Sequence, residues 1–220
     1  LNSHIYLEFI PGLEVKGCTF SNDQPDITDS ELRGRGISGI ASSIDILPAC
    51  PNGAPNCPGA TVERSTFTGL TRGIELESGS LVCNANIRSA DFMNNGVAIF
   101  ASEITSVDIR ACSFANTQPG ITTSTALGQG ITSANSTLTV RPGCPNGADE
   151  CTGQTLVRNT FTNLDHGIEL FDTGFGSYAT IHQNDFTNNI AGIYANGMTG
   201  FAVTENLFTV GDNAVGLVGD

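Results

Sequence analysis

Two glutamates, Glu75 and Glu169, are placed as if to hold a ligand or act on one. They lie in the near-copies TFTGLTRGIEL (residues 66–76) and TFTNLDHGIEL (160–170), which keep the phenylalanine, the leucine and the Gly-Ile-Glu-Leu tail at a spacing of 94 residues. Side chains alternate along an extended strand, so Ile74 and Leu76 face a core while Glu75 faces out, as do Glu169 between Ile168 and Leu170 and Tyr6 between Ile5 and Leu7. The same outward position read along the chain gives Tyr6, Thr28, Glu75, Phe100, Thr122, Glu169, Tyr194 and Gly216. An outward aromatic ring beside a carboxylate makes a sugar platform: the ring stacks on a pyranose face and the carboxylate accepts hydroxyl hydrogen bonds. Tyr6, Glu75, Phe100, Glu169 and Tyr194 are therefore the expected carbohydrate-binding residues. The plainer reading is that aromatic residues favour strands whatever their task, and that a duplicated surface is copied along with its core.

A second stripe, Lys16, Glu63, Arg88, Arg110, His182 and Thr204, follows the aliphatic residue that precedes each phenylalanine. Within it the trio Glu63, Arg88 and Arg110 joins a carboxylate to two guanidiniums, although two arginines in a strongly acidic chain are more often surface counter-charges. Acid catalysis on sugars asks for two carboxylates about 5 to 10 Å apart. Glu75 with Glu77, and Asp165, Glu169 and Asp172, supply such pairs, but pairs come easily among 22 acidic residues. His166 adjoins Asp165, yet its counterpart 94 residues earlier is Arg72, which marks a polar turn position. Three scattered histidines and two methionines give no ligand cluster, so no metal site is expected, with Ca²⁺ the one cofactor an acidic surface suggests.

The chain that carries these residues has 220 residues, 39% of them apolar, and 26 glycines set between short Val/Ile runs. No long stretch shows a helical period, which points to an all-β fold of short strands and tight turns. A formal charge of −13 repels nucleic acid and anionic membranes, and no apolar run is long enough for membrane insertion. The near-copies CPNGAPNC and CPNGADEC each read as a loop stapled by a local disulfide, Cys50–Cys57 and Cys144–Cys151. Such pairs form in an oxidising compartment, so a secreted or cell-surface location is expected.

The 94-residue shift aligns residues 18–111 with 112–205 without a gap, a tandem duplication within a single domain over 1–220. Inside each copy an aliphatic residue, a phenylalanine five later and an aliphatic residue seven after that recur, seven times in all, from Val15/Phe20/Ile27 to Val203/Phe208/Val215. Successive phenylalanines are 47, 25 and 22 residues apart, then 47, 25 and 22 again. Taking the 47 as two units, one enlarged by the cysteine loop, gives a four-coil repeat and about nine coils. Asparagine recurs two residues after phenylalanine at Asn22, Asn94, Asn116, Asn163 and Asn188, where it suits a left-handed turn and can stack its amide on the next coil.

The segments VERSTFTGLTRGIEL, IRSADFMNNGVAIF, VRNTFTNLDHGIEL and IHQNDFTNNIAGIY resemble the coils of right-handed parallel β-helix proteins of the pectate-lyase-like superfamily, over nearly the whole chain. The resemblance implies a β-helix solenoid and, for Glu63, Arg88 and Arg110, the ingredients of a lyase site with an arginine base and Ca²⁺. The Asn-Thr-Asp, Gly-His-Gly and Arg-Ile-Lys signatures of β-helix polygalacturonases are absent from the sequence, as is the Asp-Pro-His of β-helix epimerases. Apolar stretches at both ends, IYLEF and AVGLVGD, suggest a segment of a longer protein. The functional expectation is an extended scaffold or carbohydrate-contacting module with polysaccharide as partner. The alternatives are a polysaccharide lyase or glycoside hydrolase and a ligand-free adhesin or stalk.

Overall fold

The computed structural model describes residues 3–22, 32–51, 61–79, 81–118 and 127–210. The chain winds in coils of three short strands. The first coil holds β1 (Ser3–Glu8), β2 (Leu13–Lys16) and β3 (Thr19–Ser21), and the second β4 (Arg35–Ile40), β5 (Ile44–Leu47) and β6 (Ser65–Thr68). The third holds β7 (Arg72–Glu77), β8 (Asn84–Arg88) and β9 (Ala90–Met93), and the fourth β10 (Val97–Ser102), β11 (Ser106–Arg110) and β12 (Ser113–Ala115). The fifth holds β13 (Gln129–Ala134), β14 (Leu138–Arg141) and β15 (Thr160–Thr162), and the sixth β16 (His166–Phe171), β17 (Tyr178–His182) and β18 (Asp185–Thr187). The seventh holds β19 (Ala191–Asn196), β20 (Gly200–Thr204) and β21 (Leu207–Thr209).

Corresponding strands of successive coils pair in parallel, giving three sheets of seven strands: sheet A from β1 to β19, sheet B from β2 to β20 and sheet C from β3 to β21. Each sheet sends one ladder into the core. Sheet A contributes Ile5, Ile37, Ile74, Ile99, Ile131, Ile168 and Ile193 in register. Sheet B contributes Val15, Ile46, Ile87, Ile109, Val140, Ile181 and Val203. Sheet C contributes Phe20, Phe67, Phe92, Phe114, Phe161, Phe186 and Phe208, whose neighbouring rings stack with centroids 4.7–5.0 Å apart and planes within 10°. The strand spacing of about 4.8 Å sets that separation.

The all-β, parallel β-helix architecture is the one expected, but the coil count differs. Phe20 pairs directly with Phe67 and Phe114 with Phe161, so each 47-residue interval is one coil lengthened at two corners rather than two units. The duplicated unit therefore has three coils, and the described residues form seven. Counterparts 94 residues apart lie about 14 Å apart along the axis rather than the 19 Å of a four-coil unit. The strands supplied by the long coils, RGISGI at β4 and QGITSA at β13, carry Ile37 and Ile131 at the inward position. Thr28 and Thr122, expected on the outward stripe, lie outside the described residues, and Ser38 and Thr132 occupy that stripe in those coils.

The asparagines after phenylalanine divide by coil length. Asn94, Asn163 and Asn188 adopt the left-handed backbone, with φ of 57°, 57° and 55°. Asn22 and Asn116 belong to the two long coils, and their Nδ2 groups donate to Arg33 O at 2.9 Å and Leu127 O at 2.7 Å. A further amide ladder was not anticipated. Asn159 Nδ2 donates to Asn184 Oδ1 at 2.8 Å and Asn184 Nδ2 to Asn206 Oδ1 at 3.0 Å, with Asn159 and Asn184 fully buried at the corner before sheet C. These contacts satisfy polar groups that burial would otherwise penalise.

The phenylalanine ladder yields the first prediction. Phe114→Ala, at mid-stack, should lower the unfolding free energy by about 3–5 kcal/mol in a denaturant titration. Phe208→Ala should cost markedly less, because that ring is 51% exposed.

Candidate functional site

The outer face of sheet A carries two parallel rows. One is Tyr6, Ser38, Glu75, Phe100, Thr132, Glu169 and Tyr194; the other, three residues earlier on each strand, is Ser3, Arg35, Arg72, Val97, Gln129, His166 and Ala191. The register brings Glu75 beside Phe100 and Glu169 beside Tyr194, the two pairs that form the expected platform. Tyr6 stands three coils before Phe100, across Ser38. Parallel pairing alone creates these rows, since residues 25 apart in sequence become neighbours across the sheet.

In the first repeat the pair is closed. Glu75 is buried, 5% exposed, and its carboxylate accepts from two arginines, Arg35 Nε at 2.7 Å to Oε2 and Arg72 Nη1 to Oε1. The Ser38 hydroxyl donates to Oε2 at 3.4 Å. Arg72 continues across the coil boundary and lays its guanidinium 4.2 Å from the centroid of the Phe100 ring. One arginine thus satisfies the carboxylate and covers the aromatic face, by ion pairing and by a cation–π contact.

In the second repeat both arginines are replaced. Gln129 stands at the place of Arg35 and His166 at the place of Arg72. Gln129 accepts from the Thr132 hydroxyl at 2.9 Å, and His166 turns Nδ1 toward Asp165 Oδ2 at 3.2 Å. Neither engages Glu169, which is half-buried and makes no hydrogen bond or ion pair with the described residues. Tyr194 beside it is 42% exposed, with His166 edge-on at 5.5 Å and Phe171 at 6.2 Å between ring centroids. The Arg72-to-His166 difference was visible in the sequence alignment. The role of Arg35 was not, because it reaches Glu75 from the neighbouring coil.

The trio on sheet B does not assemble as expected. Glu63 leaves the sheet and pairs with Ala49 in an antiparallel bridge, exposed, while the place before Arg88 on the stripe falls to Leu47. The long fifth coil instead adds Arg141, in register with Arg88 and Arg110. Arg88 donates to Gly147 O at 3.1 Å and pairs with Asp149 at 2.7 Å. Both partners belong to the stapled loop that follows β14, so Arg88 fastens that loop over the preceding coils. Arg110 pairs with Asp108, which Arg141 also approaches at 3.4 Å. Burial would raise the Asp108 carboxyl, but hydrogen bonds from Arg110 and Arg141 outweigh it and hold the group below the ordinary range. Both guanidiniums that sequence reading placed in the trio are therefore committed within the fold.

Cys144 and Cys151 are disulfide-bonded, with Cα atoms 5.2 Å apart. The matching Cys50–Cys57 pairing involves Cys57, which lies outside the described residues. Cys18, Cys83 and Cys112 are free, and burial pushes the Cys112 thiol up to about 12, which leaves it inert near neutral pH. Asp172 is a cap: its carboxylate accepts from the backbone N–H groups of Gly174, Phe175 and Ser177, each at 2.9 Å. Among the described residues no group of three or more His, Cys, Asp or Glu gathers as a metal set, and no helix is long and apolar enough to cross a membrane.

Comparison with protein families matches the right-handed β-helix region over residues 3–208, and the chain belongs to that family. Comparison with curated proteins and with solved structures returns no match.

The two repeats should respond differently to one chemical change. Glu75→Gln strands Arg35 and Arg72 and should cost about 2 kcal/mol in a denaturant titration, whereas Glu169→Gln should stay within about 0.5 kcal/mol of the parent. The Asp108 carboxyl is depressed in the fold, so its stabilisation is complete above its unfolded value and lost as pH falls through the folded one. Asp108→Asn should therefore be most destabilising near neutral pH, and its deficit in thermal melts should close below about pH 4.

Proposed function

We propose that this chain is a secreted or cell-surface β-helix that contacts carbohydrate along the outer face of sheet A and holds it without chemical turnover. The observation that carries the reading is the exposed Tyr194 ring beside the unengaged carboxylate of Glu169. A pyranose face stacks on the ring while its hydroxyls donate to the carboxylate. Tyr6, 44% exposed, adds an aromatic contact on the same row about 29 Å away at the sheet spacing, suited to an extended polymer. Glu75 and Phe100 support the face from within, since arginine already covers both. The Cys144–Cys151 disulfide accords with an oxidising location. Against catalysis at the sheet B stripe stands the commitment of Arg88 and Arg110 to Asp149 and Asp108.

The test is retention and turnover on a polysaccharide array, with and without Ca²⁺. Retention without new reducing ends or unsaturated products, weakened about tenfold by Tyr194→Ala and little changed by Phe100→Ala, is the expected outcome. Product formation would replace this reading with a lyase or hydrolase, and silence on every glycan with a ligand-free stalk.

A further inference from the structure

The first repeat shows what its counterpart in the second repeat is built to receive. At Glu75 and Phe100 a guanidinium lies between carboxylate and ring, ion-paired to one and 4.2 Å over the other. A second guanidinium, from Arg35, completes the carboxylate at 2.7 Å. At Glu169 and Tyr194 the carboxylate and the ring are kept in the same register, but both cations are gone from the sequence. The residues in their places do not replace them, because Gln129 faces Thr132 and His166 faces Asp165. What remains is a half-buried carboxylate with no partner among the described residues, next to an aromatic ring that is 42% exposed.

We infer that the Glu169–Tyr194 pair is a binding site for an external organic cation, and that the cation is the ammonium of an amino sugar in a glycan chain. The inference rests on the glycan-contact reading and narrows it to a substrate class. The chemistry is that of the first repeat with the cation supplied from outside: the ammonium pairs with the carboxylate and lies against the face of the aromatic ring. A sugar satisfies the site better than a lysine side chain, because its ring also stacks on the exposed Tyr194 face, which an alkyl stem leaves largely bare. The formal charge of −13 favours a polycationic chain and opposes polyuronates and sulfated glycans. Asp165, 18% exposed beside His166, adds to the negative potential there.

The experiment compares a glucosamine hexamer with its fully N-acetylated counterpart by calorimetry, at a pH where the free amine is protonated. The free-amine hexamer should bind about tenfold more tightly or better, and Glu169→Gln should erase the preference while leaving weak binding of the acetylated chain. The decisive variant restores the first repeat's chemistry in the second: Gln129→Arg with His166→Arg should fill the site internally, raise the melting temperature and abolish the preference. Equal binding of the two hexamers would overturn the cation site while leaving the sugar platform standing. Binding of neither would overturn the choice of an amino-sugar chain, and with silence across the glycan array it would overturn the sugar platform as well; a lysine-containing peptide binding in place of either hexamer would overturn the choice of a glycan. A double-arginine variant that keeps its full preference for the free amine would also refute the inference. Should that variant fail to fold, the isosteric Glu169→Gln carries the same test.

Discussion

One phenylalanine per coil, stacked ring on ring at the spacing of parallel strands, is the interaction on which this molecule depends. The unbroken run from Phe20 to Phe208 fixes where every coil closes. The isoleucine ladder of sheet A and the Val/Ile ladder of sheet B then follow in register. Because only the strands must match, the corners are free to lengthen, and the chain inserts its excursions and its stapled loop there without disturbing the stack. The result is a surface of fixed pitch on which any outward residue has a neighbour about 4.8 Å away on the next coil.

Duplication gave the two halves one core and left their surfaces to diverge. Some differences are mechanical compensations. Ser65 and Ala90 in the first repeat give way to the linked amides of Asn159 and Asn184 in the second, and Asn206 extends that ladder by one coil. At another contact Gly17 lies against Ala49, while 94 residues beyond Ala49 Gly143 lies against the Arg110 Cβ with Ala111 next to it, so one side stays small each time. The change from Arg35 and Arg72 to Gln129 and His166 is of another kind. It removes two positive charges from around a carboxylate that is itself retained. A surface copied only for packing has no reason to keep that acid once its partners are lost.

Much of this was legible in the sequence. The alternation in Gly-Ile-Glu-Leu gave the facing of Glu75 and Glu169, and the regular phenylalanines gave the solenoid. The coil count was hidden because added residues on both sides of the paired strands at Ile37/Ile46 and Ile131/Val140 stretch one coil to 47 residues, about twice the length of its neighbours, so the interval looked like two coils. The Gly-Ile pairs at 36–37, 73–74, 130–131 and 167–168 held the missing signal. The partners of Glu75 were hidden for a related reason: Arg35 lies 40 residues earlier in the chain and becomes a neighbour only when β4 pairs with β7. Glu63 misled because its spacing to Phe67 imitates that of a sheet B residue, while the real place in that coil is filled from β5.

The central claim is that two copies of one glutamate differ in state, one sealed by arginine and the other open. Carbodiimide coupling of an amine to carboxylates in the native protein, read by peptide mass spectrometry, measures this directly. Glu169 should couple readily while Glu75 stays protected until the chain is unfolded. Equal coupling of the two in the folded state would contradict the account.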